Sequence, residues 1–403
     1  MRTAVWLYVF LFVAVFDLHA QYPVLSPFAL SLGATPAFVG LMMGVYSLTH
    51  LPGNLIAGPL VDRFGGKPFV VGSLVAAGVC LWLQSRVAEP WQLLAVRAVA
   101  GFVIAFLSPA CLAMLAKLSA DRFAQGKLMA GNGLVHTLAA VVSPAAGAML
   151  AARFGFEGTF AALGLALVGI GVLAALGIPS DAKPPSPGQE EALGGRRKFP
   201  EPRRRIESFR GFFGNGPERA RGVPPLFYLT PAALACSQGI LYFELPLSEA
   251  ARRSLETSGA LFSLVSVGAF VSLALLFLNR YSPYARAAAG GVALALTFYG
   301  MAIDWPVPLA PTLVLIGMAK GVLWPAMTTH LLVLTDERHY GRAFAALSVA
   351  SSVGAFVGPL AAANVRDDVS PFWVAFLLLL PAIALLPGAR RAAPPIAGLP
   401  EKM

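Results

Sequence analysis

The chain has 403 residues, of which 57% are hydrophobic and only 12% charged, and its mean hydropathy is +0.71. One water-soluble core cannot bury that much apolar surface, so composition excludes an ordinary soluble protein and indicates a membrane protein. The net charge of +10 lies mostly in loops between apolar runs, without interleaved aromatic residues, so we expect lipid and no nucleic acid as the partner. The three cysteines lie inside apolar runs without CxxC spacing, so we expect no metal, disulfide or cofactor.

Twelve apolar runs follow one another, each close to the roughly 20 residues that a helix needs to cross a bilayer. The predicted fold is therefore an all-α integral membrane protein. The first run follows Arg2 and resembles a signal peptide, but the internal repeat described below requires it as a helix. The runs cover residues 4–27, 36–60, 68–87, 91–116, 126–152, 157–178, 224–247, 257–278, 287–303, 307–333, 341–363 and 370–388.

The first two runs carry polar side chains that are costly at membrane depth. An ionisable group there costs at least about 2.5 kcal/mol unless it faces a cavity or a partner, which makes Asp17 a candidate functional residue. Gln21 lies one turn later on the same face and is a candidate cavity residue. His19 points roughly the opposite way, so we expect it to pack or to meet lipid head groups. His50, in the second run, is a further cavity candidate.

A short charged loop, Gly58-Pro59-Leu60-Val61-Asp62-Arg63-Phe64-Gly65-Gly66-Lys67, joins the second and third runs. Its glycines, acidic residue and basic residues resemble the signature loop of the major facilitator superfamily, and the whole chain is most like that family's drug and proton antiporter branch. The resemblance implies a fold of twelve helices in two similar six-helix bundles. It also implies a latch, in which the loop's acidic residue meets the positive N terminus of the eleventh helix. The latch residues would be Gly58, Asp62, Arg63, Gly65 and Lys67.

The fourth run contains Leu93, Arg97 and Gly101, which resemble the family pattern associated with proton coupling, although Ala100 replaces the usual Gln. At 1.5 Å per residue, Arg97 and Asp17 both lie about 9 Å below the outer ends of their runs. A change in water access beside a permanent cation would change the protonation of Asp17 and so couple transport to protons. The other interpretation is a static ion pair that fixes helix packing.

His136 lies about 15 Å into the fifth run, where an imidazole can titrate near neutral pH, so we include it in proton coupling. Its alternative role is a hydrogen bond between packed helices. The same run contains a Gly- and Pro-rich element that resembles one typical of exporters, and the eleventh run carries this element more completely. Simple helix packing explains it equally well. These helix-bend residues are Pro144, Gly147, Gly354, Gly358 and Pro359.

Residues 179–223 are rich in Pro, Gly and Arg, and they divide the chain into predicted bundles 1–178 and 224–403. We interpret this segment as a flexible linker near lipid head groups, in which 203–213 has the apolar spacing of a short surface helix. The last residues of the second bundle form a short tail.

The second half has three candidate cavity residues of its own. Glu244, near the outer end of the seventh run, is a gate residue, a cation attractor or an interfacial carboxylate. Lys320 lies about 21 Å below the outer end of the tenth run, so its ammonium needs a carboxylate, a carbonyl or an anionic substrate group. Trp324 is one turn further on the same face. The loop at Asn279–Pro283 has lost the signature pattern, so the first loop is expected to act alone.

The two halves repeat with one nearly constant offset, which indicates a duplication of six helices. Asp121, Gly126, Lys127 and Pro144 correspond to Asp336, Gly341, Arg342 and Pro359 at an offset of 215 residues. Of the 30 Lys and Arg residues, 23 fall on the side of the termini and 5 on the other, so the positive-inside rule places both termini in the cytoplasm. A cell inner membrane is the expected location.

Two similar bundles with the termini on one side predict a substrate site between the halves, exposed alternately to each side. We therefore expect a monomeric, proton-coupled exporter of a small amphipathic or zwitterionic molecule, with sodium as the other possible coupling ion. The alternative is a proton-linked importer of a small organic anion bound by Arg97 and Lys320. A receptor or enzyme on this scaffold is the alternative from another class, but the sequence has no nucleophile motif, metal cluster or nucleotide loop.

Overall fold

A computed structural model describes residues 2–118, 122–178, 223–335 and 340–388. The linker, its possible surface helix, the C-terminal tail and the side chain of Asp62 lie outside the described residues. Within those ranges twelve helical spans confirm the predicted runs. Their helices are Arg2–Ala20 with Tyr22–Ser31, Pro36–Phe64, Lys67–Gln84, Pro90–Ile104 with Leu107–Lys117, the two arms of Arg122–Gly177, Leu229–Glu244, Leu255–Ala274, Pro283–Ala302, Leu309–Leu334, Tyr340–Val365 and Phe372–Ala384.

Length and hydropathy make this a multi-pass membrane protein. Eight of the described helical stretches are long and apolar enough to cross a bilayer, and one of them, the 47 residues of Gly131–Gly177, is long enough for two crossings. Successive spans run in opposite directions, so their ends alternate between two faces. We call these the Arg2 face and the Ser31 face, after the two ends of the first span.

Proline and glycine explain where two spans are interrupted and where two others are joined. Pro23 has no amide hydrogen and its ring crowds the backbone one turn earlier, and the first span is interrupted at Gln21. Pro109 acts similarly on the fourth span, whose helix ends at Ile104 and resumes at Leu107. The fifth and sixth spans are joined at Gly155, whose φ of 70° and ψ of 178° suit a residue without a Cβ.

The helix packing repeats between the halves. The second span packs on the fourth as the eighth packs on the tenth, and the third packs on the sixth as the ninth packs on the twelfth. The first span packs on the long helix Arg122–Gly177, as the seventh packs on the eleventh. The structure thus has the parallel repeat of two six-helix bundles that the duplication predicts.

The bundles meet through two close helix pairs near the Ser31 face. Between the second and eleventh spans, a Cβ placed on Gly40 would lie 2.6 Å from the carbonyl oxygen of Pro359. Between the fifth and eighth spans, a Cβ on Gly259 would lie 2.6 Å from the carbonyl oxygen of Pro144. Only a residue without a side chain permits such approach, and both contacts hold the halves together on this side.

Candidate functional site

A cavity of about 330 Å³ lies between the two bundles. Side chains from the first, second, fourth, seventh, tenth and eleventh spans line it, so it is formed by both halves of the repeat. Since the close contacts of the bundles lie near the Ser31 face, the cavity extends from them towards the Arg2 face. Its lining includes Tyr22, Tyr46, His50, Arg97, Gln238, Tyr242 and Trp324.

A buried hydrogen-bonded chain joins Asp17, Gln21 and Arg97 beside this cavity. Arg97 Nη1 donates to Gln21 Oε1 over 2.7 Å, and Gln21 Nε2 donates to Asp17 Oδ2 over 2.9 Å. The three side chains are 4–8% exposed. Asp17 Oδ1 and Arg97 Nε are buried without a hydrogen-bond partner among the described residues. The charged pair expected from the sequence is therefore brought together through an amide.

Arg97 is fixed from a second side by an aromatic ring. Its guanidinium carbon lies 4.3 Å from the centre of the Tyr46 ring, a cation–π distance. The planar guanidinium can thus stack on Tyr46 while its edge binds Gln21. A lysine at this position would keep the charge but lose the planar fork.

Three aromatic rings pack together between the halves, and two of them, Tyr22 and Tyr242, line the cavity. The ring centres of Tyr22 and Tyr242 are 4.5 Å apart, and Phe262 lies 6.0 Å from Tyr22 and 5.4 Å from Tyr242. Sequence reasoning missed both tyrosines, and it missed Tyr46 as well. Their positions in the sequence could have identified them, because each lies close to a candidate residue. Tyr22 adjoins Gln21, Tyr46 lies one turn before His50, and Tyr242 lies two residues before Glu244.

His19 points away from the Asp17–Gln21–Arg97 chain, as expected, and of its two expected surroundings the structure fits packing. Its ring lies 5.9 Å from that of His136 and 5.4 Å from that of Tyr22, so it packs inside the protein. The first span has protein on both sides, with the fourth span at one face and the fifth at the other, so the face opposite Asp17 and Gln21 also packs on a helix. His136 itself is exposed and lies beside His19, and no hydrogen bond joins it to the Asp17–Gln21–Arg97 chain within the described residues.

The remaining candidates divide between the cavity and its surroundings. Trp324 and His50 line the cavity, and His50 Nδ1 is hydrogen-bonded to Asn54 Nδ2 at 2.8 Å. Lys320 lines a small recess beside it, with its ammonium 5.8 Å from the centre of the Tyr242 ring. Glu244 lines neither the cavity nor this recess.

Glu244 lies near the Ser31 face, where its Oε2 is 3.7 Å from Arg366 Nη2. Its side chain is 14% exposed, and it does not belong to the cavity lining. The structure therefore fits the interfacial carboxylate among the three predicted roles. The guanidinium of Arg366 also lies 5.7 Å from the ring centre of Phe243, so this group joins the seventh span to the end of the eleventh.

The structure describes the signature loop except for the side chain of Asp62. Gly65 ends the second span with a φ of 86°, and Lys67 Nζ donates to the carbonyl oxygen of Ile178 over 2.6 Å, at the end of the sixth span. Arg63 stacks on Phe64 at 5.1 Å, and Gly58 is exposed with open space around it. Because the Asp62 side chain and residues 336–339 are outside the described part, the latch stays a prediction.

The helix-bend residues lie at helix contacts. Gly147 packs on Ala20 of the first span, and Gly354 and Gly358 pack on the backbone of the seventh span. Pro144 and Pro359 supply the carbonyl oxygens at the two contacts between the bundles. The element thus places its glycines at helix contacts within each bundle and its prolines at the contacts between the bundles near the Ser31 face.

Curated relatives match part of the chain. An uncharacterized MFS-type transporter of Methanocaldococcus jannaschii is 29% identical over 154 residues, which are 38% of this chain and 39% of that protein. Probable anion transporter 3, chloroplastic, of Arabidopsis thaliana is 28% identical over 152 residues, 34% of this chain and 28% of that protein. Multidrug resistance protein MdtG of Enterobacter lignolyticus is 27% identical over 142 residues, 34% of each chain. The chain spans less than two fifths of each.

The fold has a solved counterpart along nearly its whole length. It is a bacterial homologue of the human lysosomal transporter Spinster, crystallised in an inward-facing and unoccupied conformation. The TM-score is 0.72 at 13% identity, and the superposition covers 95% of this chain and 94% of that one. This likeness concerns the fold. The relatives and the fold are those of transporters, not of enzymes.

The family follows from a match that covers most of the sequence. Residues 7–303 match the Major Facilitator Superfamily, and the twelve spans, the repeated bundles and the cavity between them agree with that match. This chain therefore belongs to the Major Facilitator Superfamily.

Proposed function

We propose that the protein is a proton-coupled secondary transporter that exports a small amphipathic or zwitterionic molecule in exchange for protons. The observation that carries this proposal is the buried Asp17–Gln21–Arg97 chain beside the cavity between the bundles. An acid at membrane depth is costly, and one that lies beside a solute cavity is a candidate proton site.

The free oxygen of Asp17 is the point at which a proton would bind. Its Oδ2 is engaged by Gln21, but Oδ1 is buried without a hydrogen-bond partner among the described residues. A buried carboxylate oxygen without a donor is unfavourable, whereas a protonated one is neutral. A change in water access to Oδ1 would therefore switch Asp17 between its ionised and its protonated form while Arg97 stays charged.

Alternating access supplies that change of exposure. The Tyr22–Tyr242 contact and the approach of Gly40 to Pro359 close the Ser31 side. These contacts join different bundles, so rocking one bundle against the other would separate them and open the cavity to the Ser31 face. The bundles in this proposal are residues 1–178 and 224–403, joined by 179–223.

We further propose a cell inner membrane location with the Arg2 face and both termini in the cytoplasm, because most Lys and Arg residues lie on that side. Labelling of single introduced cysteines by an impermeant maleimide in intact cells tests this orientation. Reaction at the Ser31 face and protection at the Arg2 face support it, and the reverse pattern contradicts it.

A second candidate is a proton-linked importer of a small organic anion. Its support is the cation Arg97 in the cavity, the cation Lys320 in the recess beside it, and the name of one relative, which is a probable anion transporter of chloroplasts. Multidrug resistance protein MdtG, by contrast, supports the export proposal.

Inverted membrane vesicles distinguish the two directions. Respiration acidifies the vesicle interior, so a solute–proton antiporter should concentrate labelled solute inside and reduce the pH gradient when solute is added. Solute uptake that requires the gradient supports export. Solute loss from preloaded vesicles when the gradient is imposed overturns export in favour of import.

A further inference from the structure

Lys320 is a cation that the proposed coupling chain does not use. Its ammonium stands 5.8 Å from the ring centre of Tyr242. No hydrogen bond or ion pair joins it to another residue in the described part of the chain. The carboxyl groups of that region are engaged elsewhere, since Asp17 accepts from Gln21 and Glu244 lies beside Arg366.

The surroundings of Lys320 connect it to the main cavity. The recess that it lines shares Leu234, Gln238 and Tyr242 with the cavity between the bundles. Trp324, one turn along the tenth span, is 41% exposed and lines that cavity. A solute could therefore extend along Trp324 while a polar end reaches the ammonium.

The first bundle also contributes polar groups on the facing side. The rings of His19 and His136 are 5.9 Å apart, and His19 lies 5.4 Å from the ring of Tyr22, which in turn contacts Tyr242, the ring beside Lys320. His19 Nδ1 lies 2.9 Å from the carbonyl oxygen of Val15, which only accepts, so Nδ1 carries the hydrogen and Nε2 is left for another partner.

The charges of the region favour an anion. Arg97 and Lys320 are two cations, and Asp17 is the one carboxyl group of the coupling chain. An ammonium at membrane depth is costly unless an opposite charge or an acceptor satisfies it. The recess offers it an aromatic face and an amide, so an acceptor of full negative charge is missing from the described protein groups.

We infer that Lys320 anchors a subsite for the anionic head group, a carboxylate or a phosphate monoester, of an amphipathic substrate. The apolar part of that substrate packs against Tyr242 and Trp324, in a cavity whose size suits a small molecule. This inference rests on the proposed function, because it names the solute class that the transport cavity accepts.

Binding to the full chain in phosphatidylcholine nanodiscs tests the subsite without a proton gradient. The probes share one apolar body: 4-phenylbutyrate, phenylbutyl phosphate, 4-phenylbutylamine and 4-phenylbutanol, each titrated by calorimetry. The variants are Lys320→Gln, which removes the charge, and Lys320→Arg, which keeps it. Thermal unfolding of each variant in the same nanodiscs shows whether it is folded.

The subsite predicts that at least one anionic probe binds about 10- to 100-fold more tightly than the amine and the alcohol. Lys320→Gln should remove that preference, and Lys320→Arg should retain most of it. The stronger of the two anions identifies carboxylate or phosphate as the head group. Equal affinity for the amine, or an anion preference that survives in folded Lys320→Gln, overturns the inference.

The result separates this subsite from the transport proposal. Anion binding that requires Lys320, together with solute flux that moves no protons, would keep the subsite and remove proton coupling. Proton-coupled flux of a cation or neutral solute that is unchanged in Lys320→Gln would keep the transport proposal and remove the subsite.

Discussion

Arg97 reaches the first span through Gln21, whose side-chain carbonyl accepts its hydrogen bond at 2.7 Å. The side-chain amide nitrogen of Gln21 in turn donates to Asp17. The cation and the acid are therefore linked by hydrogen bonds through a neutral group that has both a donor and an acceptor. A direct ion pair would hold the carboxylate ionised more firmly. The interposed amide leaves Asp17 coupled to Arg97 while one of its oxygens is free to take a proton.

Replacing Gln21 by Leu should break this coupling. The variant leaves a buried guanidinium edge without its acceptor, which costs roughly 1–3 kcal/mol of stability, and we expect solute-driven proton flux to fall at least about tenfold. Gln84→Leu is the matched control, because Gln84 is fully buried and neither of its side-chain polar atoms has a hydrogen-bond partner among the described residues. Equal flux in both variants would mean that Gln21 is not part of the coupling chain.

Arg97 should be more sensitive to loss of its charge than to loss of its shape. Arg97→Ala removes the hydrogen bond to Gln21 and the contact with Tyr46, so we expect no coupled transport. Arg97→Lys keeps the charge and loses the planar fork, so we expect weaker but measurable coupling. The measurement is proton flux per solute transported. If the two variants transport equally well, Arg97 has a structural role.

Close approach at Gly40 should control the closed state of the Ser31 side. A Cβ there would lie 2.6 Å from the carbonyl oxygen of Pro359, so Gly40→Ala should push the second and eleventh spans apart. Spin labels at Thr35→Cys and Asp367→Cys would report this as a shift towards longer distances. The native cysteines, Cys80, Cys111 and Cys236, are buried, which limits background labelling.

The control for that experiment is Gly72→Ala, since a Cβ at Gly72 meets no atom within 4 Å. We expect its distance distribution to match that of the parent protein. An unchanged distribution in Gly40→Ala would show that the glycine contact does not set the conformational balance.

The signature loop gives a fourth prediction. If Asp62 stabilises one conformation by facing the N terminus of the eleventh helix, Asp62→Asn should reduce the free-energy difference between the two conformations by about 0.3–1 kcal/mol or somewhat more. Net transport should fall severalfold while expression and thermal stability stay close to those of the parent. Normal turnover in Asp62→Asn would exclude the latch.

The sequence was sufficient for most of the fold because the bilayer leaves few alternatives. Apolar runs must be helices at membrane depth, and the predicted runs agree with the observed spans to within a few residues at most ends. The break at Gln21 was not predicted, although Pro23 marks it, because a proline in a membrane helix can bend a span without interrupting it.

The site was harder to predict, because residue depth can be counted along a helix but neighbours on other helices cannot. Depth placed Asp17 and Arg97 at one level, and the structure joins them through Gln21. Periodicity placed His19 opposite Asp17 and Gln21, but it could not identify Tyr22 and His136 as the rings that His19 packs against. The tyrosines that stack on Arg97 and on each other come from different spans, so no pattern in one run could indicate their contacts.

The most direct test of the central claim is solute-driven proton flux in proteoliposomes containing an internal pH dye, compared between the parent protein and Asp17→Asn. Glu244→Gln is the control, because this carboxyl group lies outside the cavity lining beside Arg366. Proton coupling through Asp17 predicts flux that requires solute, persists in Glu244→Gln and disappears in Asp17→Asn. Solute transport without proton movement, or proton flux unchanged in Asp17→Asn, would contradict the mechanism.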